Sequence, residues 1–96
     1  MPLSKERTQE IIKEFQKAEG DTGSSAVQVA LLTERINHLT DHLKKHRKDA
    51  HTKRGLLALI SQRNRLLKYV YGKSHEDYRS LVGRLGIRAK YDRVQA

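Results

Sequence analysis

Apolar residues recur at helical spacing in four segments of the chain, and no segment shows the alternation of apolar and polar residues that indicates a strand. The clearest pattern lies in the second segment, where apolar residues follow one another at intervals of three and four: Val29, Leu32, Ile36, Leu39 and Leu43. This pattern predicts a helix that begins at Ser24 or Ser25. Ser25 and Gln28 have the form of a capping box.

The other three segments predict helices that pack against this one. Residues 4–17 form a short helix, the third helix extends from Ala50 or Thr52 to Tyr71 and stops at Gly72, and the last covers residues 75–85 and ends at Gly86. The stripe of the third helix comprises Leu56, Leu57, Leu59, Ile60, Leu66, Leu67 and Val70. We predict one all-α domain over residues 1–96, in which helices two and three form a long antiparallel hairpin that the others cover.

The two ends of the chain are predicted to be the least firmly held parts of this domain. The first helix offers only the thin apolar stripe of Ile11, Ile12, Phe15 and Ala18, and the glycines at 20 and 23 allow it to swing. Residues 89–96 show no period and predict a loose tail. We therefore expect a mobile N-terminal helix on a firmly packed hairpin.

Polar residues follow one flank of the apolar stripe in the second helix. Gln28, Arg35 and His42 are seven residues apart, so they share a flank over about 20 Å. Arg65 and Tyr69 lie in the same way beside the stripe of the third helix. Residues in such register favour a docking surface, although a tyrosine at this position also fits a half-buried place in the core.

Positive charge is concentrated where the two long helices meet. Residues 44–68 contain nine Lys or Arg and a single carboxylate, Asp49, so this stretch carries +8 of the +9 net charge of the chain. The cluster favours nucleic acid over an anionic membrane, because a membrane-surface helix would leave a broad apolar face unburied. Lys48 and Arg54 are predicted phosphate contacts, and an exposed Tyr69 could stack on RNA bases.

Several classes of protein are disfavoured by length and composition. Ninety-six residues suffice for one small core but leave little for an elaborate cavity, which favours a binding module over an enzyme. The chain has no cysteine, which excludes disulfides and thiolate chemistry, and no spacing of Ser, His and Asp selects a nucleophile with its base. No apolar run approaches the roughly 20 residues that span a bilayer. We expect a soluble intracellular protein without a cofactor.

Two constellations at the basic corner have more than one interpretation. His38, His42 and His46 have the i, i+4 spacing of a metal-binding pair, but the surrounding cations would repel a divalent ion. Solvated surface histidines and contacts with a polyanion both remain open. Asp49 directly precedes the third helix and suits an N-cap, a role that is compatible with a contact to RNA.

The motifs DTGS, VQVALLT, RINHLT and HLKKHRKD closely resemble the central block of the bacterial ribosomal small-subunit protein fifteen family, and the likeness covers about residues 4–88. The resemblance implies a four-helix fold that binds a three-way junction of small-subunit rRNA early in assembly, with a second contact in a nearby minor groove. The family's junction residues match Thr22, Gly23, Gln28, Arg35 and Tyr69. Its groove-reading residues match His42, His46 and Asp49, with Thr52 in place of the usual serine.

The resemblance also implies partners and a location. The protein would be a cytoplasmic, non-enzymatic monomer when free, and in the ribosome it would contact neighbouring proteins of the platform and large-subunit rRNA; binding to its own mRNA stays open. The chain departs from the family pattern at three places. Ser25 and Ala26 stand where the family commonly has Pro-Glu, and Asn64 and Gly72 each stand where it commonly has a basic residue. The alternatives are a basic helical DNA-binding or nucleoid protein and an adaptor for an acidic protein, and Asp49 in the basic corner argues against both.

Overall fold

The computed structural model describes residues 3–16 and 24–87, which form four α-helices and no strand: α1 (Lys5–Phe15), α2 (Ser25–Lys45), α3 (Ala50–Lys73) and α4 (His75–Leu85). The antiparallel hairpin of α2 and α3 makes the most extensive contact, α1 packs on α2, and α4 packs on α3 and α2. The prediction of an all-α fold with four helices is confirmed. None of the described helices is long and apolar enough to cross a membrane.

Side-chain caps fix where the helices begin. Four residues each accept a hydrogen bond from the backbone N–H three positions further on: Ser4, Ser24, Asp49 and Ser74. Because Ser24 rather than Ser25 caps α2, Val27 occupies the position where a capping box needs Glu or Gln. The capping box predicted for Ser25 and Gln28 is therefore wrong.

The end of α3 also differs from the prediction. The helix continues past Gly72 to Lys73, and Ser74 is both its C-cap and the N-cap of α4. Ser74 has an extended backbone, and its N–H donates to the carbonyl of Val70 at 2.9 Å. One residue that ends a helix and begins the next leaves no place for a glycine cap. The last helix does end at Gly86, as predicted, and Gly86 has the left-handed conformation, with φ 68.

The core has two parts along the hairpin. Where all four helices meet, the buried residues are Ile11, Phe15, Val27, Val29, Ala30, Leu67, Val70, Tyr78, Leu81 and Val82. Further along the hairpin, α2 and α3 are the only described helices that contribute buried residues, and the core narrows to Ile36, Leu39 and Leu59. The predicted stripe of α2 is buried at three positions and half-buried at Leu32 and Leu43. Leu57 is 62% exposed, because two helices bury only their facing sides, and its predicted place in the stripe is wrong.

Besides its buried side chains, two arginine contacts hold α1 on the other helices. Arg7 donates to both carboxylate oxygens of Glu34 on α2, at 2.9 and 3.1 Å, and this ion pair lowers the pKa of Glu34. Arg84 of α4 lies over the ring of Phe15, with 4.2 Å between the guanidinium carbon and the ring centre. Both ends of α1 are therefore restrained by arginine side chains. Ala18 and the glycines at 20 and 23 lie outside the described residues.

The N-terminal helix should nevertheless open first. It contributes only two buried side chains, Ile11 and Phe15, to a core that α2 shares with all the other helices. In hydrogen exchange of the free protein, we expect amides of α1 to exchange at least about tenfold sooner than those of residues 32–43, a difference of about 1.4 kcal/mol in opening free energy. Equal protection of the two segments would contradict the prediction.

Candidate nucleic-acid interface

The turn between α2 and α3 brings four of the predicted site residues together. Asp49 accepts the Thr52 N–H on Oδ1 at 3.0 Å, and on Oδ2 it accepts the Thr52 hydroxyl at 2.6 Å and Nε2 of His42 at 3.0 Å. The ring of His42 lies against that of His46, with 4.6 Å between their centres. We call His42, His46, Asp49 and Thr52 the corner.

Local backbone geometry builds the corner. The helix α2 ends at Lys45, and His46 caps it by donating its N–H to the carbonyl of His42 at 3.0 Å. The chain then reverses within two residues, and the Asp49 N–H donates to the carbonyl of His46 at 3.1 Å. The carboxylate of Asp49 thus lies at the positive end of the α3 dipole and beside the last turn of α2. The prediction that Asp49 caps α3 is confirmed.

These hydrogen bonds decide which atoms of the corner can face a ligand. The Thr52 hydroxyl, the Thr52 N–H and His42 together hold the pKa of Asp49 well below its usual range. Because a carboxylate only accepts, Nε2 of His42 carries a hydrogen, and in a neutral ring Nδ1 is then an acceptor. The remaining capacity of Asp49, Thr52 and His42 is therefore mainly for accepting hydrogen bonds.

The depressed pKa of Asp49 predicts a pH dependence of stability. A carboxylate with a lower pKa in the folded state stabilises the protein above its unfolded pKa of about 3.9, and this contribution is lost as the pH falls towards the folded value. Asp49→Asn should unfold at lower denaturant concentration than wild type at pH 7, and the gap should narrow progressively as the pH falls below about 4. Urea midpoints measured across this range test the prediction, and a gap that does not change with pH would contradict it.

A basic surface extends from the corner along α3, and one of the cations counted from the sequence does not belong to it. Eight of the nine Lys and Arg side chains in residues 44–68 are exposed. The exception is Arg63, whose Nη1 donates to the hydroxyl of Thr33 at 3.3 Å and whose pKa is lowered by burial. Its Nε is buried and has no partner among the described residues. Arg63 therefore belongs to the helix interface and not to the basic surface.

An open groove of about 620 Å³ lies at the corner and is lined by His42, Lys44, Lys45, His46, Arg47, Lys48 and Asp49. Six of these seven side chains are basic or imidazole, so the groove suits a polyanion. Within residues 3–16 and 24–87 no three metal-binding side chains come together. His38 instead lies 3.5 Å from Glu34, and His42 lies beside Asp49.

Apart from Lys48 and Arg54, which adjoin the corner in the sequence, the other predicted residues lie along the hairpin, away from it. Gln28 and Arg35 are exposed on α2, and Glu34, the neighbour that could have neutralised Arg35, is paired with Arg7. Arg54 and Arg65 are exposed on α3.

The aromatic side chain predicted for this region is open to a ligand. Tyr69 is 54% exposed, which excludes its placement in the core. Nζ of Lys73 lies 5.3 Å from the centre of its ring, a contact that sequence reasoning missed although the i, i+4 spacing could have suggested it. This arrangement combines an exposed ring with a cation, as in proteins that stack on unpaired bases.

The predicted residues therefore form two surfaces. From Gln28 to His42 the α2 flank extends about 21 Å, and from Thr52 to Tyr69 α3 extends about 25 Å. The second surface is formed by Gln28 and Tyr69 at the end of the hairpin opposite the corner, and we call it the distal surface. Arg35 lies between the two surfaces. Thr22 and Gly23, which were predicted to contact the junction together with Gln28 and Tyr69, lie outside the described residues.

Comparison with known proteins assigns the chain to a family. The family described as Ribosomal protein S15 matches residues 8–88. A small ribosomal subunit protein uS15 from Fusobacterium nucleatum subsp. nucleatum is 61% identical over 79 residues, which make up 82% of this chain and 93% of that protein. A protein of the same name from Rhodopirellula baltica is 56% identical over 88 residues, or 92% of this chain and 99% of that protein. With a family match over most of its length, this four-helix chain belongs to the ribosomal protein S15 family.

Proposed function

We propose that the protein binds small-subunit rRNA through two surfaces, with the corner in the minor groove of an RNA helix and the distal surface at a three-way junction. We further propose that it does so early in subunit assembly. As a member of the ribosomal protein S15 family, the chain is a structural constituent of the ribosome and not an enzyme, and it is located in the cytoplasm with the ribosome. The two-surface mode of RNA binding is the finer part of this proposal.

The observation that carries the proposal is an acceptor-rich corner inside a basic surface. Phosphate oxygens are acceptors, so exposed Lys and Arg attract them and the carboxylate of Asp49 repels them. The ligand of Asp49 must therefore be a donor. In the wide minor groove of A-form RNA, the exocyclic amine of guanine and the 2′-hydroxyls are the available donors.

The internal hydrogen bonds of the corner sharpen this argument. Three protein donors already occupy Asp49, and a carboxylate has about four lone-pair sites, which leaves room for one further donor. Thr52 and His42 each direct a hydrogen at Asp49, so towards RNA they would accept from 2′-hydroxyls. Duplex DNA lacks these hydroxyl groups, so it offers fewer partners to the same corner.

The separation of the two surfaces supports a contact with more than one RNA element. The corner and the distal surface are more than about 20 Å apart along the hairpin. The exposed ring of Tyr69 suits an unpaired RNA base rather than a regular groove. A junction supplies both unpaired bases and adjoining helices. A single uninterrupted duplex would leave the distal surface of the protein without an RNA partner.

The decisive experiment compares three nucleic acids at one salt concentration by gel shift: a small-subunit three-way-junction RNA, a duplex RNA that keeps the adjoining helix but lacks the junction, and duplex DNA of matched sequence. We expect the affinities to fall in that order. Equal affinity for duplex DNA and duplex RNA would overturn the corner contact and favour a DNA-binding protein. Equal affinity for junction and duplex RNA would overturn the junction contact.

A further inference from the structure

The guanidinium of Arg63 lies in the interface of the long hairpin without a counter-ion among the described residues. Of its five N–H groups, one on Nη1 donates to the Thr33 hydroxyl at 3.3 Å, and the buried Nε has no partner within the described part of the chain. The carboxylates on nearby turns of α2 are occupied, because Glu34 is paired with an arginine of α1 and Asp41 with a lysine of its own helix. A partly buried cation in this state is destabilising unless an anion reaches it.

An open cleft of about 320 Å³ lies beside Arg63, where the end of α4 meets the hairpin. Asn37 lines it on α2, Asn64 lines it on α3, and residues 85–87 line it at the end of α4. Among the described lining residues Arg63 alone carries a charge, and the two asparagines offer further N–H donors. The cleft therefore suits a single anion that accepts hydrogen bonds.

The cleft lies on the side of the hairpin that faces away from the proposed RNA surfaces. At about 100° per residue, Asn37 is about 140° to 180° around α2 from the three residues of its RNA-binding flank. Asn64 is about 140° around α3 from Tyr69. RNA that is bound at the corner and the distal surface therefore lies on the opposite side from Arg63.

An exposed leucine lies on the same side of α3 as the cleft. Leu57 and Asn64 are seven residues apart, so they share a helix face and are about 10 Å apart along its axis. The side chain of Leu57 is 62% exposed. Protein interfaces combine an apolar centre with arginine, whereas a phosphate backbone offers no apolar group to Leu57. We call Leu57 and the cleft at Arg63 the back face.

We propose that the back face docks a neighbouring protein of the small ribosomal subunit, which places the carboxylate of an Asp or Glu side chain on Arg63 and an apolar side chain over Leu57. A carboxylate accepts two parallel hydrogen bonds from a guanidinium, and its single negative charge neutralises the single cation of the cleft. The choice of protein over RNA rests on the proposed function, which puts RNA on the other side of the hairpin.

A free carboxylate should bind the cleft weakly but measurably. In NMR spectra of the free protein, titrated with sodium acetate at constant ionic strength, we expect the Arg63 Nε–H resonance to shift saturably with a Kd on the order of 10 mM, as for one charge-assisted contact. Dimethyl phosphate, a monoanionic diester like the RNA backbone, should bind less tightly because its oxygens are weaker acceptors. No saturable shift with acetate, or tighter binding of dimethyl phosphate, would overturn the proposal.

An anion built into the cleft should replace that of the partner. Asn37→Asp keeps the size of the side chain and adds a carboxylate to the lining, so acetate affinity should fall at least about tenfold. Gln9→Glu adds the same charge at an exposed position on α1 and should leave the acetate affinity within about twofold of wild type. Equal effects of the two changes would mean that the shift reports net charge rather than a site, and the proposal would fail.

The partner is tested in assembled small subunits. A photo-reactive benzophenone amino acid in place of Leu57 should cross-link to a protein of the subunit, and Asn37→Asp should abolish this product while the protein still enters the subunit. The same photo-reactive residue in place of Gln62, which is exposed about 140° around α3 from Leu57, should not give that product. Cross-links from position 57 that go to rRNA or to the chain itself, or no cross-link, would overturn the proposal.

These outcomes are separate from those of the proposed function. If gel shifts overturn the RNA surfaces while position 57 cross-links to a protein, only the proposed function fails. If the RNA preferences hold while position 57 cross-links to rRNA, only this inference fails.

Discussion

Binding to small-subunit RNA should weaken roughly 500-fold when the salt concentration rises from about 50 to about 200 mM, as for a protein that neutralises about five phosphates. The basis is the basic surface that extends from the corner along α3, where eight cations of residues 44–68 are exposed, together with the basic groove at the corner. Phosphate contacts release condensed counterions, so log affinity should fall linearly with log salt. A slope near zero would contradict this account of the binding energy.

Single substitutions in the basic surface should reduce this slope without changing specificity. Lys48→Ala and Arg54→Ala should each weaken binding to all RNAs by a similar factor and lower the slope by about one. Lys13→Ala removes the same charge from an exposed position on α1 and is the matched control. Arg63→Ala is a second contrast, because Arg63 faces Thr33 in the helix interface and its loss should lower stability while leaving the slope unchanged.

Features that depend on neighbouring residues in the chain were predictable from the sequence. The apolar spacing of α2, the start of that helix at Ser24, the Asp49 cap and the end of α4 at Gly86 all rest on interactions within a few residues, and the structure confirms them, whereas the capping box at Ser25 and the stop at Gly72 are wrong. The corner was also predictable in outline, because Asp49, Thr52 and His42 lie within eleven consecutive positions around one turn.

Contacts between distant segments were not predictable in the same way. Arg63 was counted with the surface cations because composition does not distinguish a solvent-exposed arginine from one that lies between helices. Its partner Thr33 is 30 residues away in the sequence. The bond from Arg84 to Glu14 joins residues 70 positions apart. Leu57 matched the helical period, but its exposure depends on which helices pack beside this part of α3, and spacing along the chain does not show that.

Replacing Asp49 should reduce specificity more than any other single change at the corner. We expect Asp49→Ala to lose about 1 to 3 kcal/mol on the cognate RNA, the usual value of a good base contact, while binding to unrelated RNA stays unchanged or becomes slightly stronger. The second effect follows because a charge that repels phosphate has been removed. Asp49→Ala also removes the cap of α3, so a loss of stability accompanies the change.

Asp49→Asn isolates the recognition step, because asparagine can still accept the Thr52 N–H and cap α3. Its amide nitrogen would replace the Oδ2 atom that accepts from Thr52 and His42, so the corner would turn a donor towards the guanine amine. We therefore expect the ratio of cognate to scrambled RNA affinity to fall about as far as in Asp49→Ala. Asp41→Asn removes an equal charge from an exposed position on α2 outside the corner and should keep the wild-type ratio.

The ratio of affinities, measured by competition between cognate and scrambled RNA at one salt concentration, decides what Asp49 does. A reduced ratio in Asp49→Asn, with Asp41→Asn unchanged, would assign base recognition to the carboxylate, since both variants lose one negative charge and Asp49→Asn retains the cap. If Asp49→Asn kept the wild-type ratio, Asp49 would be only the N-cap of α3. Specificity would then have to come from the distal surface, where Gln28 and Tyr69 are exposed at the opposite end of the hairpin.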